Sequence, residues 1–257
     1  MFTHAIVKRP GRSLVEGITT AALGRPDYTR ALGQHDRYID VLAQCGVKVT
    51  ILEAEEQYPD SVFIEDTAVL AERCAVVTRP GAPSRQGEEI SVLNALHTFY
   101  SNIERIQAPG TLEGGDVMRV GDHFYVGLSA RTNDEGFQQF SDIMNKYGYT
   151  AAAVQMTDFL HLKTGLAYLE NNNLLVAGEF VHHADFTAFN RIVIDKEESY
   201  AANCIWVNDA VLAPMGFMKT KAAVEMAGYT VHEVDVSEFR KLDGGLSCLS
   251  LRFKKED

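Results

Sequence analysis

A chain of 257 residues with 46% hydrophobic and 23% charged residues has an ordinary globular make-up, enough for one large domain or two small ones. Its formal net charge of -11 argues against nucleic acid and anionic membrane as partners and suits a cationic small molecule. There is no long apolar run, and the opening residues Met1-Phe2-Thr3-His4 carry no signal-peptide pattern, so a soluble cytoplasmic protein is expected.

A first apolar strand, His4 to Val7, leads into a polar, glycine-bearing loop from Arg12 to Gly24. Pro26 opens a helix with apolar residues at Tyr28, Leu32, Tyr38, Ile39 and Leu42; Gly46 stops it, and a strand follows from Val47 to Leu52. One pattern then repeats: hairpin, helix, strand. The first hairpin (Val62 to Leu70, Cys74 to Thr78) precedes a helix from Glu88 to Tyr100 and a strand from Ile103 to Gln107. The second (Asp116 to Val120, His123 to Val126) precedes a helix from Asp134 to Lys146 and a strand from Tyr149 to Gln155. The third turns on Asn171-Asn172-Asn173 and leads to a short helix near Ala184 to Phe189 and a strand at Ile192 to Ile194. The fourth turns on Asn208-Asp209 and leads to a helix at Thr220 to Ala227 and a strand at Tyr229 to Val234.

The first unit lacks its leading strand, and the chain ends with a spare one, Leu246 to Phe253. The economical solution is an α/β ring of five ββαβ modules around a central channel, a five-bladed propeller in one domain, 1–257, closed by pairing the last strand with the first. A two-layer α/β sandwich accounts less well for that final strand.

The four cysteines, at 45, 74, 204 and 248, show no metal-ligand spacing, so neither a zinc site nor a disulfide framework is expected. Three read as structural thiols. Cys248 differs: with Ser250 and Arg252 it alternates against Leu249, Leu251 and Phe253, and Gly244-Gly245 precede it where a ligand could approach the backbone. It is either an inert thiol after a turn or a nucleophile at a cleft.

If the first strand of each module lines the axis, the loops before those strands bring Asp60, Glu65, Asp66, Glu113, Asp116 and His161 toward Cys248. Crowded carboxylates repel, and a guanidinium relieves that repulsion by bidentate hydrogen bonding. Arg85 and Arg131, at matching positions before helices, suit a carboxylate, and Asp60 suits an ammonium group. Such a pocket fits arginine or a derivative, attacked by a thiolate with a histidine partner.

Four segments in order, Asp60-Ser61-Val62-Phe63-Ile64-Glu65-Asp66, Thr111-Leu112-Glu113-Gly114-Gly115-Asp116, His161-Leu162-Lys163-Thr164-Gly165 and Asp243-Gly244-Gly245-Leu246-Ser247-Cys248, resemble dimethylarginine dimethylaminohydrolases. These belong to the pentein superfamily of five-bladed α/β-propellers, and the resemblance runs from His4 to Phe253, leaving the charged tail 254–257 uncovered. It implies that Cys248 is the nucleophile, His161 the general acid and then base, and Glu113 the acid that orients His161. It further implies Asp66 on a guanidinium nitrogen, Glu65 near the methylated nitrogen, and Arg85 and Arg131 on the α-carboxylate. Asp60 would meet the α-amino group, Ile18 and Leu242 would add backbone hydrogen bonds, and Phe63, Asp116 and Ser247 would complete the substrate-binding set. Residues 12–24 would form a lid.

The implied reaction converts Nω-methylated arginine to citrulline without metal or cofactor. Lys163 stands where arginine deiminases carry an acid, which favours a methylated substrate over arginine itself. Deimination of another guanidine, a non-catalytic binding propeller and a thiol protease are the competing readings. Exposed hairpin edges leave room for a homodimer.

Overall fold

The computed structural model describes residues 1–255. Strand β1 (His4–Lys8) is joined through helix α1 (Tyr28–Gln44) to β2 (Lys48–Leu52), which lies parallel to it. Asp27 caps α1 by accepting the Arg30 N–H at 2.9 Å, and Gly46, at φ +80°, turns the chain out of the helix where a side chain would be strained. The next blade holds β3 (Ala68–Leu70), β4 (Ala75–Val77), α2 (Glu89–Leu96) and β5 (Ile103–Arg105). The third holds β6 (Val117–Val120), β7 (His123–Leu128), α3 (Asp134–Lys146) and β8 (Thr150–Gln155).

A single helical turn, α4 (Leu162–Gly165), leads into β9 (Leu166–Tyr168), β10 (Asn173–Val176) and β11 (Asn190–Val193). The last full module is β12 (Ile205–Val207), β13 (Ala210–Pro214), α5 (Met218–Met226) and β14 (Thr230–Val234). After the short α6 (Ser237–Arg240), strand β15 (Leu251–Phe253) returns to pair antiparallel with β1, His4 opposite Phe253. Five separate three-stranded sheets result, each with its first two strands antiparallel and its last two parallel, as the repeat predicted.

Packing explains why the ring must close. The buried apolar side chains form five clusters, and each bridges two neighbouring blades. Ile6, Leu251 and Phe253 meet Ala75 and Val77, while Ala5 and Val7 meet Leu212 and Val234 on the other side. Each large apolar side chain so buried contributes about 1.5–3 kcal/mol. A blade without its neighbours would expose half of its core.

Several sequence expectations need correction. The expected strand from Leu246 begins only at Leu251; Ser247–Leu249 form a 3-10 turn, so Cys248 sits on a tight turn rather than on one face of a strand. The Glu88 to Tyr100 helix stops at Leu96. In the fourth blade the expected helix is a run of 3-10 turns, Gly178–His182 and Ala184–Phe186, anchored by Phe180 and Phe186 in the core, and its strand runs from Asn190 rather than Ile192.

The first strands of the blades, β3, β6, β9, β12 and β15, line a central channel. Turns at their N-terminal ends carry the residues of interest: Ile64–Thr67 before β3, Gly114–Asp116 before β6, α4 before β9 and Ser247–Leu249 before β15. No described helix is long and apolar enough to cross a membrane.

Candidate active site

Convergence of those turns places carboxylates and a histidine in one buried group. Glu113 is fully buried; its Oε2 lies 2.7 Å from His161 Nε2, and its Oε1 accepts the Gly81 N–H at 3.0 Å. Asp66 accepts from Arg85 Nη1 at 2.7 Å with one oxygen and from the Gly115 N–H at 3.0 Å with the other. Gly115 permits this approach, since a Cβ there would come within 2.9 Å of both Asp66 Oδ1 and the His161 ring. The ligand atoms of Asp66, Glu113 and His161 lie within 4.8 Å of one another. A planar cation with several N–H donors could meet both carboxylates, Asp66 and Glu113, in a group this tight.

Fields in this group set its protonation. Burial by itself would lower the His161 pKa, but Asp66, Asp116 and the Glu113 hydrogen bond outweigh it and lift the imidazole to about 9. His161 is therefore an imidazolium at neutral pH. Cys248 behaves in the opposite sense. Burial first, then the charges of Glu65 and Asp66, push its thiol up to about 12, against a weaker opposing pull from the Gly245 N–H, which donates to Sγ at 3.4 Å. Lys163 also pulls it down, but too weakly, and the sulfur stays protonated at neutral pH.

A second group forms around Arg85, which is almost wholly buried. It donates to Asp66, to Glu88 through Nε and Nη2, and to the Phe63 carbonyl at 3.1 Å. Burial pushes the Glu88 carboxyl up to about 7 although Arg85 pulls it down. Arg131 is less enclosed and leans on Glu113, with Nη1 3.6 Å from Oε1. Asp60 accepts the Ile18 N–H at 3.0 Å, so the 12–24 loop is folded down onto it, and Leu242 lies beneath Gly17 of that loop. Thr20 reaches across to Asp243, whose carboxylate accepts its N–H at 2.6 Å.

Three residues expected to bind substrate have partners within the protein. Asp116 is fully buried and accepts from Ser129 Oγ, Thr132 Oγ1 and the Leu162 N–H, at 2.7, 2.6 and 3.0 Å. It braces the segments that carry Arg131 and His161. Ser247 donates to Glu65 at 2.6 Å and receives the Asn203 amide at 2.9 Å. Glu65 has Lys163 Nζ 2.6 Å from one oxygen and accepts from Ser247 on the other, and its charge helps to raise the Cys248 thiol. Phe63 packs edge-on against Phe239 and lies on Gly244, close to the Cys248 turn.

Comparison with known proteins agrees with this geometry. Residues 26–200 match the family model for eukaryotic N,N dimethylarginine dimethylhydrolase. The N(G),N(G)-dimethylarginine dimethylaminohydrolase of Pseudomonas aeruginosa is 55% identical over 254 residues, which span 98% of this chain and 100% of that one. The chain belongs to the dimethylarginine dimethylaminohydrolase family. A crystal structure of a dimethylarginine dimethylaminohydrolase with histidine replaced by glycine, adducted with S-methyl-L-thiocitrulline, superposes with a TM-score of 0.97 at 54% identity, covering 98% of this chain and all of that one. The P. aeruginosa enzyme with cysteine replaced by serine, complexed with citrulline, gives a TM-score of 0.96 at the same identity and coverage. The fold of the dimethylarginine dimethylaminohydrolases, a five-bladed α/β-propeller, is thus the fold of this chain.

Sequence reasoning overlooked Glu88, Gly81 and Asn203. Glu88 follows Arg85 by three residues, a spacing that marks an ion pair on a helical turn. Gly81 and Asn203 act through a backbone N–H and a distant amide, and neither leaves a mark in spacing.

Proposed function

We propose that this dimethylarginine dimethylaminohydrolase family member hydrolyses Nω-methylated arginine to citrulline, releasing dimethylamine or methylamine, with Cys248 as nucleophile and His161 as its proton carrier. The observation that carries the assignment of roles is the buried contact of Glu113 with His161, set beside Asp66 and the Cys248 turn.

The substrate's own charge starts the chemistry. A guanidinium held between Asp66 and Glu113 brings a cation next to Cys248, which offsets the carboxylate fields and favours the thiolate. Sulfur adds to the guanidinium carbon, and the electron pair of a C–N π bond moves onto nitrogen. The His161 imidazolium gives its proton to the methylated nitrogen, which departs as the amine while the C–N bond breaks. A thiouronium-type adduct remains on Cys248. His161, now neutral, takes a proton from water as the oxygen adds to the same carbon; the C–S bond then breaks while the proton of the added hydroxyl passes to sulfur, which releases citrulline and restores the resting thiol.

At the other end of the substrate, Arg131 and the unassigned Nη1 proton of Arg85 suit the α-carboxylate, and Asp60 suits the α-ammonium. The 12–24 loop acts as a lid over them, since its Ile18 N–H already reaches Asp60. Lys163 neutralises Glu65 rather than offering an acid to an unsubstituted nitrogen, which favours methylated arginine over arginine. We place the enzyme in the cytoplasm as a homodimer; exposed Ile51 and Val193 on outer strands β2 and β11 are surfaces suited to pairing, and a monomer in sedimentation at micromolar concentration would remove that part.

Product analysis after incubation with asymmetric dimethylarginine tests the whole reading, with arginine in parallel and Cys248→Ser as control. Citrulline with dimethylamine, absent from the variant, is the expected result. Citrulline mainly from arginine would make the protein a deiminase, and none from either would overturn the reading.

A further inference from the structure

The central channel has a cavity volume of about 350 Å³, and none of Cys248, His161 or Glu113 lines it. Its walls include Leu70, Met118 and Trp206, and at depth it meets Glu65, Lys163 and Arg252. Lys163 and Arg252 both approach Glu65, and the rest of the lining sets Arg119 and Lys254 against Glu72 and Glu170, so cationic side chains outnumber carboxylates by one. Arg252 donates through Nη1 to the Ser247 and Ser250 carbonyls and to Ser250 Oγ, and its guanidinium also interacts with the Tyr38 hydroxyl. Its Nη2 lies 3.5 Å from Glu65 Oε1, and the five N–H donors of the guanidinium outnumber these partners. Lys163 Nζ has one hydrogen-bond partner, Glu65, for its three protons.

A partly buried guanidinium with N–H donors to spare, set beside the apolar side chains of the channel wall, matches a carboxylate carrying an apolar tail. The same Arg252 holds the Ser247 carbonyl, immediately before Cys248, and Lys163 is the cation that offsets Glu65 beside that thiol. A bound carboxylate would draw on both cations and add a negative charge near the sulfur, which opposes thiolate formation. We propose that this channel is a second ligand site, taking small carboxylates with an apolar tail, whose occupation slows turnover at Cys248 without competing with the substrate.

Trp206 is the chain's single tryptophan and stands in the channel wall, so its fluorescence reports occupancy directly. The probe is hexanoate, with hexanol and hexylammonium as uncharged and cationic controls. Hexanoate is expected to change the fluorescence saturably and at least about tenfold more tightly than either control, a difference of about 1.4 kcal/mol. Arg252→Met should abolish the response; Leu70→Glu, which sets an anion in the wall, should weaken it in a variant that leaves Arg252 in place. In steady-state assays hexanoate should lower kcat and leave KM unchanged. The proposal is overturned by no saturable change in the millimolar range, by equal response to all three ligands, or by binding that survives both substitutions. A rise in KM alone would also overturn it, because the probe would then sit at the substrate site. The fluorescence arm stands whatever reaction Cys248 performs, so its failure is separable from failure of the hydrolase assignment.

Discussion

Glu113 Oε2 and His161 Nε2 lie 2.7 Å apart, with the carboxylate fully buried and its other oxygen held by the Gly81 N–H. The contact fixes the ring and keeps it charged, so a neutral replacement of the same shape should separate the two effects. Glu113→Gln is expected to lower kcat by about 10²–10⁴-fold, the usual range for an impaired general acid. It should also move the His161 titration, followed by NMR of the ring, down from about 9. A large loss of kcat with an unmoved titration would show that orientation alone matters.

Asp116 should behave as a positioning residue. Its carboxylate joins Thr132, whose hydroxyl in turn accepts the Glu113 N–H at 3.1 Å, to Leu162, the residue after His161. Asp116→Asn replaces one acceptor oxygen by an amide NH2, set against either the two donating hydroxyls or the Leu162 N–H, at a cost of about 1–3 kcal/mol for the donor left without an acceptor. Thermal unfolding should register that loss. The added expectation is a lower His161 pKa, because the Asp116 charge is one of those that raise it. Destabilisation with the His161 titration unchanged would reduce Asp116 to a purely structural role.

The contrast between these two acids shows what the sequence could convey. The ββαβ repeat was legible because hydrophobic runs and turn residues recur, and the unmatched first and last strands could close a ring in only one way. Spacing also brought Glu113 and His161 to one place, because both precede first strands of neighbouring blades. It could not say which way a side chain turns. Asp116 stands three residues after Glu113, on the same 3-10 turn, yet points back into the scaffold. Glu65 and Asp66 are adjacent and face different partners, Lys163 in one case and Arg85 in the other. Those choices follow from three-dimensional hydrogen-bond completion, as does the replacement of the expected helix near Ala184 by short turns held by Phe186.

Cys248 should be a poor nucleophile in the resting protein. With burial and two carboxylates holding its thiol near 12, alkylation by iodoacetamide should keep rising through the pH range where ordinary thiols, with pKa about 8.5, have levelled off. An unreactive guanidinium-bearing analogue should bring up thiolate absorbance at neutral pH, since the bound cation favours the ionised sulfur. Alkylation that levels off below pH 8 without any ligand would mean a resting thiolate–imidazolium pair and would remove the substrate's part in activating the nucleophile.

Acid stability should depend on a histidine far from this chemistry. His35 is fully buried on α1 beside Phe239, and neither ring nitrogen has a hydrogen-bond partner among the described residues. Burial first, with Arg9 adding to it and Asp36 opposing, lowers its pKa from 6.5 to about 4. Between those two values the unfolded chain binds a proton that the folded chain refuses, so stability falls as pH drops from 6.5 toward 4. At about 1.4 kcal/mol per unit of pKa, the effect is at most about 3.5 kcal/mol. Urea midpoints measured from pH 7 to 4 should therefore decline in the wild type and decline less in His35→Leu, which keeps an apolar side chain against Phe239. Parallel slopes in the two proteins would place the acid sensitivity in the carboxylates instead, above all in those paired with Arg85.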